Sequence, residues 1–255
     1  MSRNLTLNFS HTFDGKIWNV LPNEAGDKMV LEIRNDEKMT LSFFIYDFTQ
    51  NKLQGQIVVE EKWWASIACI TNDVVVFKNY DSDANAKVLS YEAYELKGLK
   101  KIWVKEGINY VSFNTSTFSC VADSGELQFF DLTTGELVEE RSFIESKSGR
   151  AVLPPVFYPQ SNQYFDTIKR FIDGINGDET VAGAEYLEAE SWIGISYYVR
   201  NDKLVNKLLV VGMDREVLLL ETLAEELSGV GQDTFFVTDN KLIFVKDKSN
   251  LFIYQ

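Results

Sequence analysis

Lys28-Met-Val-Leu-Glu-Ile-Arg34, Asn35-Asp36, Leu41-Ser-Phe-Phe-Ile-Tyr-Asp47, Asn51-Lys52 and Leu53-Gln-Gly-Gln-Ile-Val-Val59 follow one another with only short polar stretches between. Runs of β-branched and aromatic residues bounded by Asn, Asp, Gly and Lys read as strands joined by tight turns. The pattern returns as Ile193-Gly-Ile-Ser-Tyr-Tyr-Val-Arg200, Asn201-Asp202, Val205-Asn-Lys-Leu-Leu-Val-Val-Gly212 and Val217-Leu-Leu-Leu-Glu221. In both copies Arg-Asn-Asp closes a strand, at Arg34–Asp36 and at Arg200–Asp202. A middle copy runs through Phe118-Ser-Cys-Val-Ala122, Leu127-Gln-Phe-Phe-Asp-Leu132 and Leu137-Val-Glu-Glu-Arg141, with Ser124-Gly125 and Thr134-Gly135 as its hairpin turns.

Four strands in about 40 to 45 residues, repeated, is the pattern of a propeller blade. A single twisted sheet has two apolar faces and cannot bury both alone, so such units pack face to face. The expectation is an all-β chain, a five-bladed β-propeller forming one domain over residues 1–255. The blades span about 16–62, 63–107, 108–146, 182–227 and 231–255, with the last completed by residues 1–15. Leu5-Thr-Leu-Asn-Phe-Ser-His-Thr-Phe13 supplies the outer strand that the final blade lacks, which leaves no free edge where the chain ends meet. Residues 147–181 break the pattern. There Pro154-Pro155 is followed by apolar positions 164, 165, 168, 171 and 172 at helical spacing, with Gly174 just past them. This segment reads as a helical insertion; the alternative is a sixth, degenerate blade.

Composition bounds the chemistry. The chain has 255 residues, 45% hydrophobic and 13% aromatic, enough to fill a core without disulfides or metals. Lys and Arg number 25 against 38 Asp and Glu, a net charge of −13, which argues against a nucleic-acid partner. No apolar run has the length of a membrane span or a signal-peptide core, so the expected location is the cytoplasm with no membrane partner. Cys69 and Cys120 lie in strand-like runs and read as buried free thiols. With His11 as the one histidine, alternating with aromatics and read as a strand-face residue, every histidine-dependent triad rests on that one side chain and His-rich metal sites are excluded.

Asp131-Leu-Thr-Thr-Gly-Glu-Leu137 resembles the Asp-x-x-Thr-Gly turn of quinoprotein-like and WD40-like propeller repeats. Asp47-Phe-Thr-Gln-Asn-Lys-Leu53 keeps its shape without the glycine, and Tyr94-Glu-Leu-Lys-Gly98 is a weaker copy. The resemblance implies a structural turn and carries no cofactor. His11-Thr-Phe-Asp-Gly-Lys-Ile-Trp18, Glu185-Tyr-Leu-Glu188, Ile195-Ser-Tyr-Tyr198, Asp233-Thr-Phe-Phe236 and Leu242-Ile-Phe-Val-Lys-Asp247 are similar to segments of an uncharacterised bacterial family, a domain of unknown function. It implies a propeller-like fold and brings no activity.

In a propeller the innermost strands line an axial channel, and the loops entering them form the usual ligand funnel. Trp18, Trp63, Trp64 and Tyr110 fall near the starts of strands assigned there, as do Tyr186 and Phe235. Asp14, Glu185, Glu188 and Asp233 lie beside them, with Glu60, Glu61 and Glu106. Gathered at one mouth they would suit a cation, a sugar or a basic peptide; taken singly they are inter-blade packing and solvated turn residues. Asp81-Ser-Asp-Ala-Asn85 with Glu92 imitates a calcium loop but has Ala86 where the sharp turn needs Gly. Ser228-Gly-Val-Gly231 lacks the third glycine of a dinucleotide site. The sequence therefore points to a non-catalytic module binding a protein or small ligand at the channel mouth, with no catalytic residue, metal or cofactor assigned. The alternative is a hydrolase acting on a glycan or lactone through paired carboxylates, for which Glu185, Glu188 and Asp233 are the candidates.

Overall fold

The computed structural model describes residues 5–59, 63–81, 87–114, 116–139 and 152–255, apart from the side chains of Tyr110 and Val111. These residues form strands and, among them, one helix, in two units: one within 14–151, the other made of the start of the chain and 152–255. After β1 (Leu7–Thr12), which belongs to the second unit, come three antiparallel sheets in chain order. The first holds β2 (Lys16–Pro22), β3 (Lys28–Asn35), β4 (Thr40–Asp47) and β5 (Lys52–Ile57). The second holds β6 (Ala65–Ile70), β7 (Val74–Tyr80), β8 (Val88–Glu95) and β9 (Lys100–Glu106). The third holds β10 (Ile108–Phe113), β11 (Thr117–Ala122), β12 (Leu127–Asp131) and β13 (Leu137–Val138).

Short-range turn chemistry joins the third and fourth strands of these sheets. The Asp47 carboxylate accepts hydrogen bonds from the Thr49 amide at 2.8 Å and the Gln50 amide at 3.0 Å. Asp131 does the same for Thr133 at 2.9 Å and Thr134 at 2.8 Å. Four residues after each aspartate the backbone turns left-handed, at Asn51 (φ 50°) and Gly135 (φ 72°); in the second sheet Leu99 (φ 54°) holds that place. Asn and Gly adopt this conformation most readily, which is why the turn is visible in sequence. A Cβ on Gly135 would lie 2.7 Å from the Trp103 ring.

Alternating apolar residues of neighbouring sheets interdigitate. Val30, Phe43, Ile45 and Ile57 pack on Ile67, Val75, Phe77 and Tyr94, with the Phe43 and Phe77 rings stacked 4.1 Å apart. The opposite face of the second sheet, with Cys69, Val76, Tyr91 and Trp103, meets Phe118, Cys120 and Phe130 of the third. Both cysteines are buried thiols, and burial pushes Cys69 up to about 12 and Cys120 to about 11.

The second unit departs from the expected insertion. Two strands lie inside 147–181: β14 (Val152–Leu153) and β15 (Val156–Pro159), followed by helix α1 (Phe165–Asn176). Then come β16 (Val181–Glu188), β17 (Trp192–Arg200), β18 (Leu204–Gly212), β19 (Val217–Leu227), β20 (Phe235–Thr238), β21 (Lys241–Lys246) and β22 (Asn250–Tyr254). They make two five-stranded sheets, β15-β16-β17-β18-β19 and β1-β22-β21-β20-β14. The extra strands go unread in sequence because Pro154-Pro155 lacks amide donors and cuts the apolar run; edge strands tolerate this. Consequently β16 and β20, expected as innermost strands, are flanked by β15 and β14. The opening segment pairs with the last strand, from Leu7↔Tyr254 to Thr12↔Asn250.

The β15–β19 sheet is buried on both faces. Leu187, Leu208 and Val210 pack against Phe235, Val237, Leu242 and Phe244, whereas Ile195, Tyr197, Leu209 and Val211 pack against Phe165, Ile168 and Ile172 of α1. A run such as Leu208-Leu-Val-Val211 suits a strand covered on both sides. The helix continues past the expected stop: Gly174 lies inside it, and Gly177, left-handed at φ 76°, ends it by donating its amide to the Asp173 carbonyl. No helix among the described residues is long and apolar enough to cross a membrane.

Candidate functional site

Strand alternation divides the candidate carboxylates. On β16, Ala184 and Tyr186 face α1, whereas Leu187 faces β20–β22. Glu185 and Glu188, three apart, therefore lie on opposite faces of their strand. Glu185 is buried at 1% exposure and holds the chain leading into β20. Its carboxylate accepts hydrogen bonds from the Asp233 amide, the Thr234 amide at 3.0 Å and the Thr234 hydroxyl at 2.5 Å. Thr234 Oγ1 lies 2.7 Å from Ser196 Oγ, which accepts from Asn206 Nδ2 at 2.9 Å. Burial pushes the Glu185 carboxyl above the usual range, against the hydrogen bonds from Thr234 and Asp233, and the Asp233 charge adds to the rise. Asp233 is exposed, with a left-handed backbone at φ 56°. The structure thus joins Glu185 and Asp233 through a backbone clasp between two sheets.

Trp18 and Trp63 meet at a residue that sequence reading treated as a strand end. The Arg34 guanidinium carbon lies 5.5 Å from the Trp18 ring centre and 5.3 Å from that of Trp63. Its Nε donates to Glu32 Oε1 at 2.7 Å, and Nη1 and Nη2 donate to the Trp63 and Ala65 carbonyls at 2.8 and 2.6 Å. Burial raises the Glu32 carboxyl even with Arg34 beside it. Trp18 stays 66% exposed, while Arg34 is occupied by its own chain. The signal was available: Glu32 and Arg34, two apart on a strand, share one face. Asp14 holds the β2–β3 end through Asn35 Nδ2 at 3.2 Å and an ion pair with Lys38, and the Trp64 carbonyl accepts from the Tyr80 amide at 2.7 Å. Phe235 belongs to the core. The Tyr110 side chain, Glu60, Glu61 and the acidic loop at 82–86 lie outside the described residues. Among the described residues no group of three or more His, Cys, Asp or Glu is placed to hold a metal ion.

A cleft lined in part by Tyr186 was missed in sequence. Tyr158 of β15, Tyr164 and Phe171 of α1, Tyr186 of β16, and Ile193 and Ile195 of β17 enclose a cleft of about 270 Å³. Tyr164, at the helix start, is 58% exposed and meets Tyr158 edge-on at 6.3 Å. At the rim the Tyr186 hydroxyl donates to Glu188 Oε2 at 3.2 Å. Burial raises the Tyr186 phenol, and the Glu188 charge and hydrogen bond raise it further. Only Tyr186 and Glu188 had been singled out, because the cleft depends on β15, which the prolines disguise. Its walls are aromatic and aliphatic, Glu188 stands beside the Tyr186 hydroxyl, and no carboxylate is among its lining residues.

The profile of a domain of unknown function, DUF4905, matches residues 23–103, from the β2–β3 turn into β9. No curated protein matches the chain. Solved structures similar to it include BamB from Moraxella catarrhalis, at 9% identity over 99% of this chain and 98% of that one, TM-score 0.35. The β-propeller domain of the Trilobed protease from Pyrococcus furiosus is similar at 19% identity over 90% and 79%, TM-score 0.34. The β-propeller domain of Myceliophteria thermophila Cps50 (Swd1) is similar at 13% identity over 93% and 68%, TM-score 0.33.

Proposed function

We propose that this chain is a non-catalytic, propeller-type interaction module that takes an anchor side chain of a partner protein into the cleft between α1 and β15–β17. The observation that carries this reading is the cleft itself, with its aromatic and aliphatic walls. At about 270 Å³ it falls below the roughly 300–1,000 Å³ of small-molecule pockets. It suits one large apolar side chain of the kind that anchors protein interfaces. Glu188 at the rim and the net charge of −13 favour a basic residue beside that anchor. Enclosure of Glu185 among main-chain amides supports a structural role for the carboxylate most eligible for catalysis. The propeller reading, with five sheets as blades, draws support from their meander order and from β1 joining β22; α1 covers one face of the β15–β19 sheet. The proposal includes a cytoplasmic location, with Cys69 and Cys120 held as thiols.

The test is selection of displayed peptides on the purified protein. Enriched peptides are expected to carry Trp, Phe or Leu next to Lys or Arg. Tyr164→Ala, at an exposed wall position, should weaken them about tenfold, or about 1.4 kcal/mol. Glu188→Lys should remove the preference for the basic neighbour. Peptides that bind both variants as tightly as the parent would sink the proposal.

A further inference from the structure

We infer that the other flank of α1 holds a site for a small organic anion, a phosphate or carboxylate head on an apolar body. Thr167 and Phe171 border the aromatic cleft on one side and a second hollow of about 670 Å³ on the other. The hollow is a shallow groove open to solvent, so a ligand there would be held on one side. The second hollow is lined by Thr167, Arg170, Phe171, Gly174 and Ile175 of α1 and by Arg215 from the β18–β19 turn. Two guanidinium groups from separate elements thus share a hollow in a chain where acids outnumber bases 38 to 25. The Arg215 side chain makes no hydrogen bond or ion pair with another described residue. Arg170 donates its Nε to the Asp166 carbonyl at 3.2 Å, leaving its terminal nitrogens for another acceptor. Planar guanidinium groups bind phosphate and carboxylate in bidentate fashion.

Gly174 lies on the same wall. It is not the helix stop, since Gly177 takes that role, and its φ lies outside the left-handed region. A Cβ there would meet nothing within 4 Å, so alanine would fit and would favour the helix. What glycine provides is backbone open to close approach, on the wall of the hollow that holds both arginines. Partly buried Phe171 and Ile175 supply apolar surface for the ligand body, and the exposed Thr167 hydroxyl supplies a further polar contact. Arg170 also borders a hollow with Asp166, Lys169, Asp173 and Glu179, so Arg215 is the sharper probe.

Calorimetric titration with 1-naphthyl phosphate and with 1-naphthoate tests this, the two heads separating phosphate from carboxylate recognition. At least one is expected to bind, and Arg215→Ala to weaken it tenfold or more while the free protein melts unchanged. Gly174→Ala should raise the melting temperature of the free protein by about 2–4 °C and still weaken binding. Tyr164→Ala, which alters the aromatic cleft, should leave binding intact. The inference is overturned if neither compound binds, if Arg215→Ala and Gly174→Ala bind as the parent does, or if Tyr164→Ala abolishes binding. These outcomes are separate from those of the peptide selection.

Discussion

The Glu185 carboxylate shows how one side chain fixes a connection. It offers only acceptors to two amides and a hydroxyl, and all three bonds lie in a buried place. Glu185→Gln keeps the size but turns an NH2 group towards one of the donors. Equilibrium unfolding in urea should show a loss of about 1–3 kcal/mol; an unchanged midpoint would remove the clasp from the account. The residue was legible as an acid near a strand start, but its partners, 48 and 49 positions away, were not. Local roles read better. Asp47 and Asp131 bind amides two and three residues ahead, so the turn is written in consecutive positions. Leu99 hides the same turn, since its left-handed backbone contradicts its side chain.

Helix α1 was visible from its apolar spacing, and its end was misplaced because Gly174, read as the stop, lies inside the helix, which runs on to Gly177. A polar clamp fastens that end to the sheet. Lys207 Nζ reaches Asp178 Oδ2 at 2.8 Å, the Tyr197 hydroxyl donates to Asp178 at 2.5 Å, and Asn176 Nδ2 donates to it at 3.2 Å. Partial burial pushes the Asp178 carboxyl up, but the hydrogen bonds from Lys207 and Tyr197 outweigh it and hold the group below its ordinary value of 3.8. The folded protein therefore binds this proton more weakly than the unfolded chain does. The clamp's contribution is complete above the ordinary value and is lost as pH falls through the lower folded one. Asp178→Asn should cost about 1–2 kcal/mol at neutral pH and abolish this acid-linked portion. Hydrogen exchange of the α1 amides checks it: equal protection in parent and variant at neutral pH would show that the clamp does not hold the helix. The strands β14 and β15 escaped notice because two- and four-residue strands around a proline pair carry almost no periodicity.

At the scale of the whole molecule, the chain's two ends share a sheet. The Thr6 amide donates to the Gln255 carbonyl at 2.8 Å, and the Gln255 amide returns the bond at 3.0 Å. Removing residues 1–13 would leave the outer edge of β22 without ladder partners. With each lost bond worth about 1 kcal/mol, the urea midpoint followed by buried Trp192 should fall by the equivalent of about 2 kcal/mol or more. An unchanged midpoint would mean that β1 is a passive appendage. The sequence by itself determined the predominantly β character, the turns at Asp47 and Asp131, the buried thiols and helix α1. Each depends on alternation, spacing or hydrogen bonding within a few residues, and that information is contiguous in the chain. Only the tertiary structure decided that Glu185 closes a clasp, that Arg34 joins two tryptophans, and that β15 and α1 enclose a cleft with Arg215 on the far flank. Those outcomes require segments distant in the chain to meet, and such encounters are set by how sheet faces and helix pack, which no local pattern records.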